Sequence, residues 1–215
     1  MTKWTSIKNQ GEEWGNHQKL GKGGQGVTYK VNNRRDGAAA CMKVLSRQDD
    51  HERRARFFRE ASAYDTCQHP GVPKLVESNA HEHSDLGFKL YIATEFIVGP
   101  TLENRINDCG VLSLSDAALL TLRLLDVVHY LHTEKWVHRD IKPDNIILKD
   151  DDPTNPVLLD FGLSYKEGIT PNFLTDPNQE IGNRFLRLPE LMIGSEEKQD
   201  VRSDLAWWAA FCFLP

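Results

Sequence analysis

The chain has 215 residues, 40% hydrophobic and 27% charged, which is enough apolar material for one large domain or two intimate lobes and excludes a disulfide mini-protein or wholesale disorder. Its 26 Lys and Arg against 31 Asp and Glu give a net charge of −5, which argues against a dedicated nucleic-acid binder. Cys41, Cys67, Cys109 and Cys212 stand far apart with no Cys-x-x-Cys pair, so neither a zinc site nor a disulfide framework is encoded and a cytoplasmic setting is expected. The first eleven residues are polar and carry no secretory signal. The longest apolar run, 205–214, is too short to span a bilayer, so no membrane partner is expected.

In chain order, stretches 18–29, 30–33, 38–45, 73–77 and 88–97 read as short strands broken by glycine and polar turns. One helix interrupts them, capped by Asp49 or Asp50, with Phe57, Glu60, Ala61 and Tyr64 on one face. Near residue 98 the periodicity turns helical. Ser115 is the expected N-cap of a long stretch carrying Leu119, Leu120, Leu124, Val127, Val128 and Leu131. Two short strands are expected at 146–148 and 157–159. The expected fold class is therefore α+β, a β-rich N-lobe over 1–97 and a mostly helical C-lobe over 98–215, joined at 95–99 by a seam of the kind ligands favour.

Three motifs carry chemistry. Gly21-Lys22-Gly23-Gly24-Gln25-Gly26 fits Gly-x-Gly-x-x-Gly, where missing Cβ atoms let backbone amides approach phosphate oxygens. The strand-like Val27-Thr28-Tyr29-Lys30-Val31 follows instead of a helix, which disfavours a dinucleotide fold. Lys43 lies inside the apolar strand Ala40-Cys41-Met42-Lys43-Val44 and needs an anionic partner if buried; Glu60 is the candidate. Taken singly, Lys43 and Glu60 read as solvated residues. The third motif is His138-Arg139-Asp140-Ile141-Lys142-Pro143-Asp144-Asn145, followed fifteen residues after Asn145 by Asp160-Phe161-Gly162.

In the order and spacing of these motifs the chain resembles a eukaryotic-like serine/threonine protein kinase, from about Trp14 to Trp208. The resemblance implies that Gly21, Gly23 and Gly26 cover the phosphates of ATP, with Thr28 over the adenine and Lys43, paired to Glu60, on the α and β phosphates. It implies a hinge at Glu95 to Ile97 that takes adenine by backbone hydrogen bonds, with Thr94 guarding the pocket behind. Asp140 would accept the proton of a protein hydroxyl, Lys142 would sit by the γ-phosphate, and Asn145 and Asp160 would hold Mg²⁺ through hard oxygen donors. Leu188-Pro189-Glu190 would close an activation segment running from Asp160. Arg139 would pair with a phosphate on Thr170 or Thr175.

The sequence departs from the family pattern at Thr28, at Asn183 and at Ala206, each of which replaces a more usual residue; Asp204 fits an aspartate that braces the catalytic loop. Leu205, Trp207, Trp208, Phe211, Phe213 and Leu214 form an apolar run at the chain end, where the family continues into further helices. The expectation is a C-terminally truncated, incomplete C-lobe. Three explanations stay open: a fragment of a longer kinase, a partner or second copy covering the open C-lobe face, or a reduced fold. Two functions also stay open beside protein phosphorylation: a kinase-like nucleotide-binding interaction protein without efficient transfer, and a small-molecule phosphotransferase. His81-x-His83 reads as a solvated loop, and Arg53, Arg54, Arg56 and Arg59 as a solvent-facing basic helix face.

Overall fold

The computed structural model of the chain describes residues 3–166 and 201–205. They fall into two compact units, one of Met1–Gln68 with Pro73–Ile97 and one of His69–Val72 with Val98–Pro215.

The first unit is an antiparallel five-stranded sheet with one helix. Its strands are β1 (Trp14–Lys22), β2 (Gly26–Asn33), β3 (Ala39–Leu45), β4 (Leu75–Ser78) and β5 (Tyr91–Glu95), in the spatial order β1-β2-β3-β5-β4. Trp14, Val31, Ala40, Met42, Tyr91 and Ala93 form its core, which is why β1 begins at Trp14, four residues before the expected start. The expected strand 18–29 is two strands. The chain turns at the glycines, where the Gly23 N–H donates to the Gly26 carbonyl, and then runs unbroken through Tyr29 and Lys30 in register with β3. β4 starts at Leu75 rather than Pro73, a residue with no N–H to give to a ladder.

The helix α1 (His51–Thr66) is capped by Asp50, whose carboxylate accepts the Arg53 N–H at 3.0 Å. Phe57, Glu60, Ala61 and Tyr64 are buried together, as their spacing predicts. The basic face does not behave as expected. Arg54 is completely buried, and its guanidinium donates to the backbone carbonyls of Gln48, Glu82, His83, Asp85 and Phe88. Five converging carbonyls supply the partial negative charge that a buried cation needs.

In the second unit, α2 (Leu102–Cys109) is capped by Thr101 and stopped by Gly110 at φ 81°. The long helix α3 (Leu114–Thr133) is capped by Ser113, not Ser115: the Ser113 hydroxyl accepts the Asp116 N–H at 3.1 Å and donates to its carboxylate at 2.8 Å. Leu120, Leu124, Val127, Val128 and Leu131 are buried along it, whereas Leu119 is exposed, one position off the buried stripe. Two small antiparallel ribbons follow, β6 (Trp136–Val137) with β9 (Tyr165–Lys166) and β7 (Ile146–Leu148) with β8 (Pro156–Leu158). β8 closes one residue earlier than expected: the Leu159 N–H still reaches the Asn145 carbonyl at 2.7 Å, in line with the ribbon, but the Asn145 N–H turns to the Lys142 carbonyl at 2.9 Å and does not return the bond. Residues 202–205 are helical, and Leu205 is exposed. Among the described residues, no helix is long and apolar enough to cross a membrane.

Candidate active site

In the first unit, β2 aligns Thr28 opposite both Gly21 of β1 and Lys43 of β3. A Cβ on Gly21 or Gly23 would meet nothing within 4 Å, so the sheet itself does not demand glycine at either position. Gly26 is different: a Cβ there would lie 2.4 Å from the Val44 carbonyl oxygen. Its glycine serves the close approach of β2 to β3, and the open backbone at Gly21 and Gly23 is left for something that comes near from outside.

The Lys43 ammonium reaches both carboxylate oxygens of Glu60, at 2.8 and 2.9 Å. Glu60 is 1% exposed and the Lys43 side chain 17%, so the expected solvated reading of each fails; they are a partly buried pair across β3 and α1. Burial pushes the neighbouring Cys41 thiol up to about 11, with Lys43 opposing, so Cys41 stays protonated and unreactive. Thr94 is buried on β5, its hydroxyl 3.5 Å from the Cys41 carbonyl. Glu95 is engaged twice with Lys74, donating its N–H to the Lys74 carbonyl and accepting the Lys74 N–H at its carboxylate. Ile97 is buried.

In the second unit, Asp140 and Asn145, both buried, come together in one loop between β6 and β7. The Asn145 amide nitrogen donates to the Asp140 carbonyl at 2.8 Å and to its carboxylate at 3.0 Å, and the Lys142 ammonium lies 3.2 Å from that carboxylate. Using its nitrogen inward leaves the Asn145 amide oxygen as the atom able to bind a cation. Burial raises the Asp140 pKa above the ordinary carboxylate range, with Lys142 and His138 pulling it back and Asp160 adding to the rise. Both features suit a proton acceptor.

His138 ties this loop to the next. Its Nδ1 lies 3.3 Å from the Asp140 N–H and its Nε2 faces the Leu159 carbonyl at 3.0 Å. Its ring meets Phe161 edge-on at 4.9 Å. Asp160 holds a left-handed backbone, φ 61°, and its carboxylate accepts the Gly162 N–H at 3.2 Å. Arg139, also left-handed at φ 66°, donates from Nε to the Leu163 carbonyl at 2.8 Å and lies near the Tyr165 ring.

The Asp204 carboxylate, fully buried, collects the N–H groups of His138 and Arg139 at 2.8 and 2.7 Å and the His132 ring nitrogen at 2.9 Å. The sequence motif identifies Asp204 but gives no sign of His132, whose position in the last turn of α3 is the only cue. Thr170, Thr175, Asn183, Leu188-Pro189-Glu190 and the aromatic residues after Leu205 lie outside the described residues.

Among the described residues, no group of three or more His, Cys, Asp or Glu could hold a metal ion. The donor set of Asn145 and Asp160 instead fits Mg²⁺, which is commonly held by one or two protein oxygens and completed by phosphates and water. Open glycine backbone and a paired ammonium likewise fit a polyphosphate.

A protein kinase domain matches residues 14–214. The chain is 35% identical to CBL-interacting protein kinase 24 of Oryza sativa over 66% of its length and 31% of the relative's. It is 31% identical to myosin light chain kinase A of Dictyostelium discoideum, over 71% of this chain and 51% of that one. Serine/threonine-protein kinase dst1 of the same organism is 28% identical over 87% of this chain and 24% of its own. The chain thus spans about half or less of the length of these relatives. Match, motif order and α+β architecture agree, and the chain belongs to the protein kinase family.

Proposed function

We propose that the chain is a serine/threonine protein kinase that transfers the γ-phosphoryl of Mg-ATP to a protein hydroxyl. The observation that carries this reading is the Asp140 carboxylate, held between the Asn145 amide at 3.0 Å and the Lys142 ammonium at 3.2 Å with its pKa raised by burial. Asp140 receives the proton of the attacking serine or threonine and orients its oxygen. Lys142 offsets negative charge beside it. Lys43, steered by Glu60, offers its ammonium to the α and β phosphates, and Gly21, Gly23 and Gly26 bring backbone amides to them. Thr28 lies over adenine, and Glu95 to Ile97 give it backbone partners. Asn145 and Asp160 hold Mg²⁺, which would spread the charge developing on the transferred group. Arg139 receives a phosphate on Thr170 or Thr175, exchanging it for the Leu163 carbonyl. Cys41, Cys67 and Cys109 form no disulfide, and the reading is of a cytoplasmic enzyme.

The test is transfer of labelled γ-phosphate to a general protein acceptor such as casein, followed by acid hydrolysis to identify phosphoserine and phosphothreonine. Asp140→Ala is expected to lower turnover by about 10²- to 10⁴-fold. An unchanged rate overturns the assignment. Stabilisation by Mg-ATP without transfer would support the interaction-protein reading, and transfer to small alcohols alone would support the small-molecule one.

A further inference from the structure

The kinase-domain match begins at residue 14, yet the chain before it is not idle. Residues 3–5 lie parallel to β4, an edge strand of the sheet: the Ser78 N–H donates to the Lys3 carbonyl and the Thr5 N–H to the Ser78 carbonyl, both at 2.9 Å. Asn79, fully buried, donates to the Ile7 carbonyl at 2.9 Å, and the Lys89 N–H donates to the Lys8 carbonyl at 3.2 Å. This pairing aims Trp4 at α1.

Trp4 grips that helix twice. Its indole N–H donates to the Asp65 carboxylate at 2.9 Å, and its ring lies 5.8 Å from the Phe58 ring. The other Asp65 oxygen meets the Lys3 ammonium at 3.1 Å. Phe58 and Asp65 are seven residues apart, two helical turns, and so share one face. Glu60 lies between them in sequence and, by helical spacing, on the opposite side of the helix, where it is buried. The helix is therefore clasped on its outer side by residues that bracket the glutamate on its inner side.

We propose that residues 3–8 are a strap in cis, and that Trp4 is a positioning residue that keeps α1 seated so that Glu60 stays on Lys43. The inference rests on the role given to that pair in phosphoryl transfer. Any slide or rotation of α1 that withdraws Glu60 must also tear the indole from Asp65 and Phe58. Releasing the strap loosens the helix first and the ammonium second, so ATP binding and turnover suffer while the core of the sheet stays intact.

The test is Trp4→Ala in the whole protein, read by hydrogen exchange and by steady-state kinetics against ATP. Amide exchange over α1 should rise by about tenfold, as expected when a ring contact and a hydrogen bond leave an opening equilibrium. The KM for ATP should rise with it, while exchange in β2 and β3 stays at the wild-type rate. Trp4→Phe keeps the ring contact and should recover most of both. Equal α1 exchange in wild type and Trp4→Ala overturns the strap, and so does a rise spread evenly over the sheet. If Trp4→Ala does not fold, Asp65→Ala removes both polar contacts with the ring left in place, and the same two readings decide. A wild-type protein without phosphotransfer would sink the kinase reading alone, because α1 exchange reports on the strap regardless.

Discussion

The Asp204 carboxylate accepts the Arg139 N–H at 2.7 Å, from a residue 65 positions earlier in the chain. Arg139 is left-handed, a conformation that costs an L side chain about 1–2 kcal/mol, and it stands directly before Asp140. The Asp204 carboxylate thus holds the backbone from which Asp140 projects. Asp204→Ala leaves the His138 and Arg139 N–H groups buried without this acceptor, and should cost about 3–5 kcal/mol in urea unfolding. Asp204→Asn retains one acceptor oxygen and should cost less.

A glycine series separates packing from ligand contact. Gly26→Ala drives a Cβ to 2.4 Å from the Val44 oxygen and should lower stability by roughly 1–3 kcal/mol before any nucleotide is added. Gly21→Ala and Gly23→Ala meet nothing within 4 Å. Both should melt within a degree or so of wild type, their effect appearing only as weaker Mg-ATP binding by calorimetry.

The raised Asp140 pKa sets a pH dependence. In the proposed role Asp140 works as the carboxylate, so the acid limb of kcat/KM should fall above the ordinary carboxylate range. Lys142→Met removes the main group that pulls the value down and should push that limb further up. For stability the sign is the reverse: the fold favours the protonated acid, so the contribution of Asp140 to stability is greatest below its unfolded pKa and is lost as pH rises through the folded one. Asp140→Asn should therefore melt higher than wild type at neutral pH, and equally at low pH.

Arg54 is the buried cation of the first unit. Arg54→Met removes the donor from five backbone carbonyls and should cost about 3 kcal/mol or more in chemical unfolding. Arg54→Lys keeps the charge but cannot fork to so many acceptors, and should recover only part of the loss.

The contrast between Arg54 and Asp140 shows what a sequence can carry. Asp140, Lys142 and Asn145 act within one short loop, so their spacing along the chain already implies their meeting. Arg54 is bonded to carbonyls up to 34 positions away, and carbonyls have no letter of their own. Its spacing shows a basic residue on a helix and nothing of the loop that folds over it. Boundaries failed for a related reason. Ser113 and Ser115 are equally good caps by composition, and only the bond to Asp116 chooses between them. Glu60 and Lys43 are individually ordinary and became a pair only through the order of the motifs around them.

β1 and β4 are the two edges of the five-stranded sheet, the places where another chain could add a strand. Residues 3–5 cover β4. On β1 the register slips twice, between Gly15 and Gln18 and again between Lys19 and Gly21, and residues 16–20 are all exposed. A doubly bulged ribbon carrying Lys19 and Lys22 offers a stranger no continuous run of donors and acceptors to match. The same irregular stretch that leads into the glycine turn thus disfavours strand addition at the β1 edge.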